Sequence, residues 1–377
     1  MISSTSFSNK PAFLLAVLLI WISVCASANE PPKGENKKSP TNVTIPNIAV
    51  LPVSNLSGTP APLKEIRQSF TTRLAALGIK NVSEKVLETF MAKHRLRNTG
   101  GIDRMTARAF KEEIGVDTVL ITSLELFSER VPPKIALTSR LVSTGTDPAI
   151  LWVDGVGLAG DESPGLLGLS LINDPVKLRE MAIKELSNSL SGFLSGHPAW
   201  AETGAGGKKF RPEDYYRSPV MNEPVKQTIA VTPFLNLSQR KFAGEIMPLH
   251  FVRLFRELEN FRVIEPGMVR DLMLRERMIM LDGISMADAE VIFNRLDADL
   301  VLSGRVMNYE DYEGSTGQPV VDFFALVIDR RSREVVWSSH SYRKGDDGVY
   351  FFDIGKIRTA HRLAFQMASS VANMLIR

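Results

Sequence analysis

The chain has 377 residues, 44% of them hydrophobic and 23% charged, a globular balance with length for two or three domains, each with a core of its own. Its formal charge of +3 is small for this length, and no basic run with interleaved aromatics occurs, which argues against a nucleic-acid groove.

Residues 1–28 read as an export signal: Lys10, then the apolar AFLLAVLLIWISV, then CASA. The apolar core is too short to span a bilayer comfortably. Two processing routes fit. Ala26-Ser27-Ala28 is a small-x-small site whose cleavage releases a soluble chain starting at Asn29. Cys25, the only cysteine, also stands where an acylated lipoprotein cysteine stands, although Val24 is larger than the residue that normally precedes one. Cleavage after Ala28 leaves no thiol, and with it no disulfide or thiolate chemistry. Either route leads to a periplasm, with an outer-membrane anchor if Cys25 carries lipid. Residues 29–45 are rich in Pro, Lys and Asn without apolar period and read as a disordered tether.

From residue 46 the pattern becomes α/β. NIAVLPV is a buried strand ended by Pro52. Ile66, Phe70, Leu74 and Leu77 then mark a helical stripe closed by Gly78. A short strand near Lys80–Val82 leads to a helix with Val86, Leu87, Phe90 and Met91 on one face. Asp103 is the expected N-cap of a third helix running to Ile114, with Gly115 beyond it. Three strands follow, in VDTVLITSLELF, KIALTSRLVST and AILWVDGV. The last helix carries Met181, Leu186, Leu190 and Phe193, with Asp174 as cap and Pro175 at its first position.

The second half repeats this order. IAVTPFLNLS at 229–238 shares seven of ten positions with IAVLPVSNLS at 48–57. Phe251, Leu254, Phe255 and Leu258 form the next stripe, FRVIE the short strand, and Val269, Leu272 and Met273 the following helix. Ser285 caps a helix ending near Leu296, and ADLVLSGRV aligns with VDTVLITSL. DFFALVIDRRSREVVWSS reads as a hairpin in which Trp337 lies as far after Leu326 as Trp152 lies after Leu141. The final helix is expected from about Asp353, carrying Ile357, Ala364, Met367, Ala368, Val371 and Leu375. The reading is therefore α/β: two tandem copies of a mixed-sheet domain in β-α-β-α-α-β-β-β-α order, at 46–195 and 227–377, joined by a Gly/Pro-rich linker at 196–226. A period this long is not that of a solenoid.

In the repeated decapeptide, Asn suits an Asx turn and Ser is placed to satisfy free N–H groups opening the helix, so each residue has a folding role. A ligand at the carboxyl end of these strands remains a second reading, although neither loop has the glycines of a phosphate site. The linker segment FRPEDYYRSP is aromatic and charged. Phe210, Tyr215 and Tyr216 either dock on a neighbouring sheet edge or form a partner-binding strip. Tyr309 and Tyr312, in MNYEDYEGSTG, either pack across strands or form an exposed aromatic patch for a partner.

No pattern proposes catalysis, a cofactor or a metal. His94, His197, His250, His340 and His361 are scattered, and His250 and His361 are expected to be surface or boundary residues of helices. GAGGKK lacks the first glycine and the Ser/Thr of a phosphate loop, and no nucleophile elbow occurs. Glu112-Glu113 and Asp346-Asp347 read as a solvated helix face and a turn.

Ile229–Ser238, Asp297–Arg305 and Val327–Trp337, with weaker copies at Ile48–Ser57, Gly115–Ser123 and Val142–Trp152, resemble the curli-secretion CsgG-type proteins, the amino-terminal domain of TolB and lipoprotein activators of penicillin-binding proteins such as LpoB. The resemblance implies a periplasmic, non-catalytic protein in tandem duplication, serving as adaptor or scaffold for another envelope protein or a peptidoglycan-associated complex. The alternative it implies is an oligomeric secretion pore or vestibule. The hairpin stretches are short for membrane strands of about ten alternating residues. Residues 159–173 are the one unshared apolar insertion, and they do not alternate.

Overall fold

Two stretches of three buried residues, Ile48–Val50 (β1) and Ile229–Val231 within the strand Gln227–Val231 (β7), occupy the same place in two separate sheets. The computed structural model describes residues 47–162, 171–197, 208–219, 226–258, 260–280, 283–314, 316–349 and 355–376. The signal segment, Cys25, the tether, Asp353 and most of the 159–173 insertion lie outside them. Among the described residues, no helix is long and apolar enough to cross a membrane.

In the first half, Ser54–Asn55 (β2), Leu63–Ala76 (α1), Glu84–Lys93 (α2) and Arg104–Ile114 (α3) follow β1. Thr118–Ser128 (β3), Lys134–Ser143 (β4), Ile150–Ala159 (β5) and Pro175–Leu194 (α4) complete it. Before β7 comes Asp214–Arg217 (β6). After β7 come Leu235–Asn236 (β8), Ala243–Glu257 (α5), Phe261–Val263 (β9), Pro266–Arg275 (α6) and Met286–Leu296 (α7). The chain closes with Leu300–Glu310 (β10), Val320–Asp329 (β11), Val335–Lys344 (β12) and Ala360–Leu375 (α8). The sheets run β1-β3-β4-β5, with β2 beside β3, and β6-β12-β11-β10-β7-β9, with β8 beside β10.

The halves agree at the level of register. β1 pairs parallel to β3 from Ile48 opposite Thr118, and β7 to β10 from Ile229 opposite Leu300. The long antiparallel pairs slip one residue at matching points, after Leu124 in β3 and after Val306 in β10. Trp152 faces Leu141, and Trp337 faces Val327. The Asn47 amide donates to Asp117 Oδ2 at 3.0 Å, and the Thr228 amide to Asp299 Oδ2 at 2.8 Å.

The decapeptide turn is also built twice. Asn55 Oδ1 accepts from the Ser57 amide at 3.0 Å and from Ser57 Oγ at 2.6 Å; Asn236 Oδ1 does the same with Ser238 at 3.1 and 2.7 Å. This corrects the expected role of the serine. It closes the Asx turn and caps no helix, because α1 starts later, after Pro62, without a side-chain cap. The last helix likewise starts later than expected. Thr359 caps α8 by accepting from the Arg362 amide, while Ile357 stays outside and donates to the Gly345 carbonyl at 2.8 Å. Asp103, Asp174 and Ser285 cap their helices as their sequence positions suggest.

Alternation along the first strands sorts the core. Ile48 and Val50 pack with α1 and α4 in a cluster confined to the first half. Ala230 faces α6 and α7 in a cluster confined to the second. Ala49, with α2 and α3, shares the third and largest cluster with Ile229, Val231, α5 and α8. Thus α5 and α8, the counterparts of α1 and α4, touch both their own sheet and β5 of the first half. Residues 45–377 form one compact unit. Within the stretch read as linker, β6 pairs antiparallel with β12 and extends the second sheet; four mostly exposed residues on an edge carry no apolar period to announce a strand.

Candidate functional site

The seam between the halves combines an apolar centre with an uncommon density of buried charge. Arg140 on β4 is 1% exposed and meets Glu265, 0% exposed, through Nε–Oε2 at 3.0 Å and Nη2–Oε1 at 2.7 Å. Arg253 on α5 meets Asp154 on β5 at 2.6 Å, and its guanidinium lies 4.1 Å from the Phe365 ring centroid. Arg256 donates to the carbonyls of Ile150 and Leu151 at 2.7 and 2.8 Å, occupying the edge of β5. Lys134 Nζ donates to the Tyr312 carbonyl at 2.7 Å and lies 3.1 Å above that ring; burial pushes its ammonium down to about 8.

At the centre lies Glu125. It is the extra residue of the β3 bulge, between Leu124 and Leu126, and a bulge re-aims the side chain it carries. Its Oε1 accepts from Thr138 Oγ1 at 2.5 Å, and its Oε2 lies 2.6 Å from His361 Nδ1. The His250 and His361 rings meet edge-on with centroids 4.8 Å apart, and His250 Nε2 is 3.3 Å from the Tyr309 hydroxyl. Burial alone would raise the Glu125 carboxyl, but the adjoining His361, His250 and Thr138 outweigh it and hold it below the ordinary carboxylate range. Burial, and then His361, push the His250 imidazole far below its usual value.

Glycines seat the cluster. A Cβ on Gly155 would stand 3.1 Å from His361 Cε1, and one on Gly157 would stand 2.9 Å from Cδ2. The imidazole therefore lies against bare β5 backbone, with Nδ1 left for Glu125. A cleft of about 390 Å³, bordered by Gly155, Gly157, Arg253, His361 and Phe365, opens beside it. The ligand atoms of Glu125, His250 and His361 lie within 4.8 Å of one another, so these three side chains could hold a metal ion. A second cavity, of about 360 Å³, is bordered by both repeated loops, through Ser54, Asn55, Val231 and Pro233, and by Arg270.

These positions revise the expectations for single residues. His250 and His361 are 1% and 4% exposed and are not surface residues: their helices face a second sheet on the side that a lone domain would leave to water. Tyr309 is 1% exposed and points at His250, so no exposed patch with Tyr312 forms; Tyr312 is half-buried under Lys134. Phe210 is buried in a short 3-10 turn, whereas Tyr215 and Tyr216 on β6 are 58% and 52% exposed. Glu125, Arg140 and Asp154 were missed altogether. The available signal was an ionisable residue within each of three otherwise apolar or small-residue strands, the sole one in β3 and β5 and, in β4, the one beyond the terminal Lys134.

Glu257 predicts a pH dependence. Burial raises its carboxyl from 4.5 to about 7, with Arg253 opposing the rise and Asp154 adding to it. Between those values the unfolded chain gives up the proton while the folded chain keeps it. The contribution of Glu257 to stability is therefore greatest below about 4.5, falls as the pH rises to about 7 and is level above. At about 1.4 kcal/mol per unit, the fall amounts to roughly 3 kcal/mol at most. Urea denaturation across this range should show the slope in the native protein and its loss in Glu257→Gln.

No family model matches the chain, and no curated protein is significantly similar to it in sequence. Solved structures similar to part of it include the PelC dodecamer from Paraburkholderia phytofirmans, at 18% identity and a TM-score of 0.30, covering 44% of this chain and 96% of that one. Lipoprotein GNA1162 from Neisseria meningitidis matches at 19% identity and TM-score 0.28, over 38% of this chain and 99% of its own. The LpoB C-terminal domain from Salmonella enterica matches at 21% and 0.26, over 30% and 82%.

Proposed function

We propose that the chain is exported to the periplasm and serves there as a non-catalytic adaptor, its two halves being copies of one ancestral domain. Its partner is another envelope protein or a peptidoglycan-associated complex belonging to an outer-membrane, secretion or cell-wall assembly. One observation carries this reading. In the first half β4 is buried along both faces, because α5 and α8 cover the side away from α1 and α4. On the corresponding side of the second half, Phe324, Leu326, His340 and Tyr342 are only half-buried, and Tyr216 beside them is exposed. A domain that covers this face once with a copy of itself presents it a second time to solvent, with aromatic residues of the kind that anchor protein interfaces.

The test is site-specific photocrosslinking in intact cells, with a photoreactive amino acid at Tyr216 or Tyr342 and, as control, at Lys85 on the exposed side of α2. The expected result is an adduct of one defined mass from the two face positions and none from the control. Absence of adducts at both face positions, or the same pattern at all three, would overturn the adaptor reading. A mass measurement of the mature amino terminus separates a free Asn29 from an acylated Cys25 and so fixes whether the adaptor is anchored.

A further inference from the structure

We propose that Glu125, His250 and His361 form a binding site for a divalent transition-metal ion, zinc by preference, that pins the two halves of the chain together. Two imidazoles and one carboxylate are a donor set suited to zinc. The carboxylate comes from β3 of the first half and the imidazoles from α5 and α8 of the second, so the ion would be shared across the seam.

The distances fit with small side-chain movements. Ligand atoms around a tetrahedral ion with bonds of about 2.0–2.1 Å stand roughly 3.3 Å apart. Glu125 Oε2 and His361 Nδ1, now 2.6 Å apart, would separate slightly, and the whole set, within 4.8 Å, would contract. For the ion to bind at His361 Nδ1 that nitrogen must carry no proton: in the neutral ring the proton moves to Nε2, and an imidazolium releases one to solvent. The Tyr309 hydroxyl lies 3.3 Å from His250 Nε2, and the cleft bordering His361 provides a route in from solvent. The nearby charges pair off as Arg253 with Asp154 and Arg240 with Asp311, which leaves the Glu125 charge for the ion.

The repeat makes these residues informative, because the fold is built once without them. The bulge residue of β10, matching Glu125, is Met307. The second residue of α4, matching His361, is Val176. Ser69, which precedes Phe70, matches His250, which precedes Phe251. The triad exists only where the two halves meet. Gly155 and Gly157 keep the His361 ring seated with Nδ1 directed at Glu125, so the site is organised in advance.

The experiment uses the untagged mature chain, stripped with a chelator and titrated with zinc by calorimetry and with cobalt(II) by visible absorption. Expected are one ion per chain, tetrahedral cobalt bands and a rise in Tm with zinc. His250→Ser, which installs the residue of the other half, and Glu125→Gln should each weaken binding by more than the roughly 10–100-fold that loss of an outer-shell partner costs. Circular dichroism of the metal-free variants identifies any that fails to fold, and His250→Ser, the milder change, then decides. Absence of saturable zinc binding by the native chain, or native affinity in a folded His250→Ser, would overturn the proposal and leave the cluster as a hydrogen-bonded seam.

Discussion

Arg140→Leu is expected to lower the free energy of unfolding by about 3–5 kcal/mol, the cost of leaving a buried charge without its partner. Arg140 and Glu265 are 1% and 0% exposed and meet through two parallel N–H···O contacts of 3.0 and 2.7 Å. The guanidinium also donates to the Gly100 carbonyl at 2.6 Å. Without it the carboxylate keeps only the Gly267 amide at 3.3 Å. Leucine is shorter than arginine and so adds no bulk at this position. The loss is therefore electrostatic, and it should be recovered in large part by Arg140→Leu with Glu265→Gln, which removes the charge as well as its partner. A double-mutant cycle by urea denaturation reads both numbers. A cost below about 1 kcal/mol for the single change would show that water reaches the pair.

The same pair explains how two similar halves reach one arrangement. Apolar burial is non-directional and would allow the α5 and α8 face to slide over the first sheet. Arg140–Glu265, Arg253–Asp154 and Glu125–His361 each join fixed points of different halves, and each satisfies its charge in one register alone. Backbone contacts follow that register, including the bridge between Ala149 and Ile264. The counterparts of Arg253 and His361 in the first half are Thr72 and Val176, on helices whose outer side meets no second sheet. Charge was placed where the halves touch.

What could be read in the sequence was what is local. The first strands, the tryptophan hairpins and the caps Asp103, Asp174 and Ser285 depend on neighbours a few residues away, and the structure places them where the pattern does. Asn55 was legible as a turn residue, whereas Ser57, expected to serve the helix, donates to Asn55 Oδ1 instead because the helix starts later. The seam was illegible for a different reason. Glu125 and His361 are 236 positions apart, and no local spacing reports that they meet. His250 has the sequence signature of a polar residue beside an apolar stripe, which on an isolated domain means solvent. Its burial follows only once the second sheet is known to lie against that face.

Gly267→Ala is expected to destabilise the chain by about 3 kcal/mol or more, by prising the halves apart. A Cβ on Gly267 would stand 2.3 Å from the Ile102 nitrogen and 2.6 Å from its oxygen, while one on Gly101 would stand 2.7 Å from Gly267 Cα. Two backbones from different halves cross here with no side chain between them. Overpacking costs about 1–3 kcal/mol where side chains can yield. Here only backbone can move, and Glu265, two residues away, would be drawn from Arg140 as it does. Gly244→Ala is the comparison: its Cβ would collide with the Phe234 carbonyl at 2.1 Å, within the second half alone. Both variants should lower Tm. Gly267→Ala alone should make Glu125 and Arg140 accessible, read as loss of amide-exchange protection in β3 and β4 well below the melting temperature. Native protection there in Gly267→Ala would mean that the crossing loops yield without disturbing the seam.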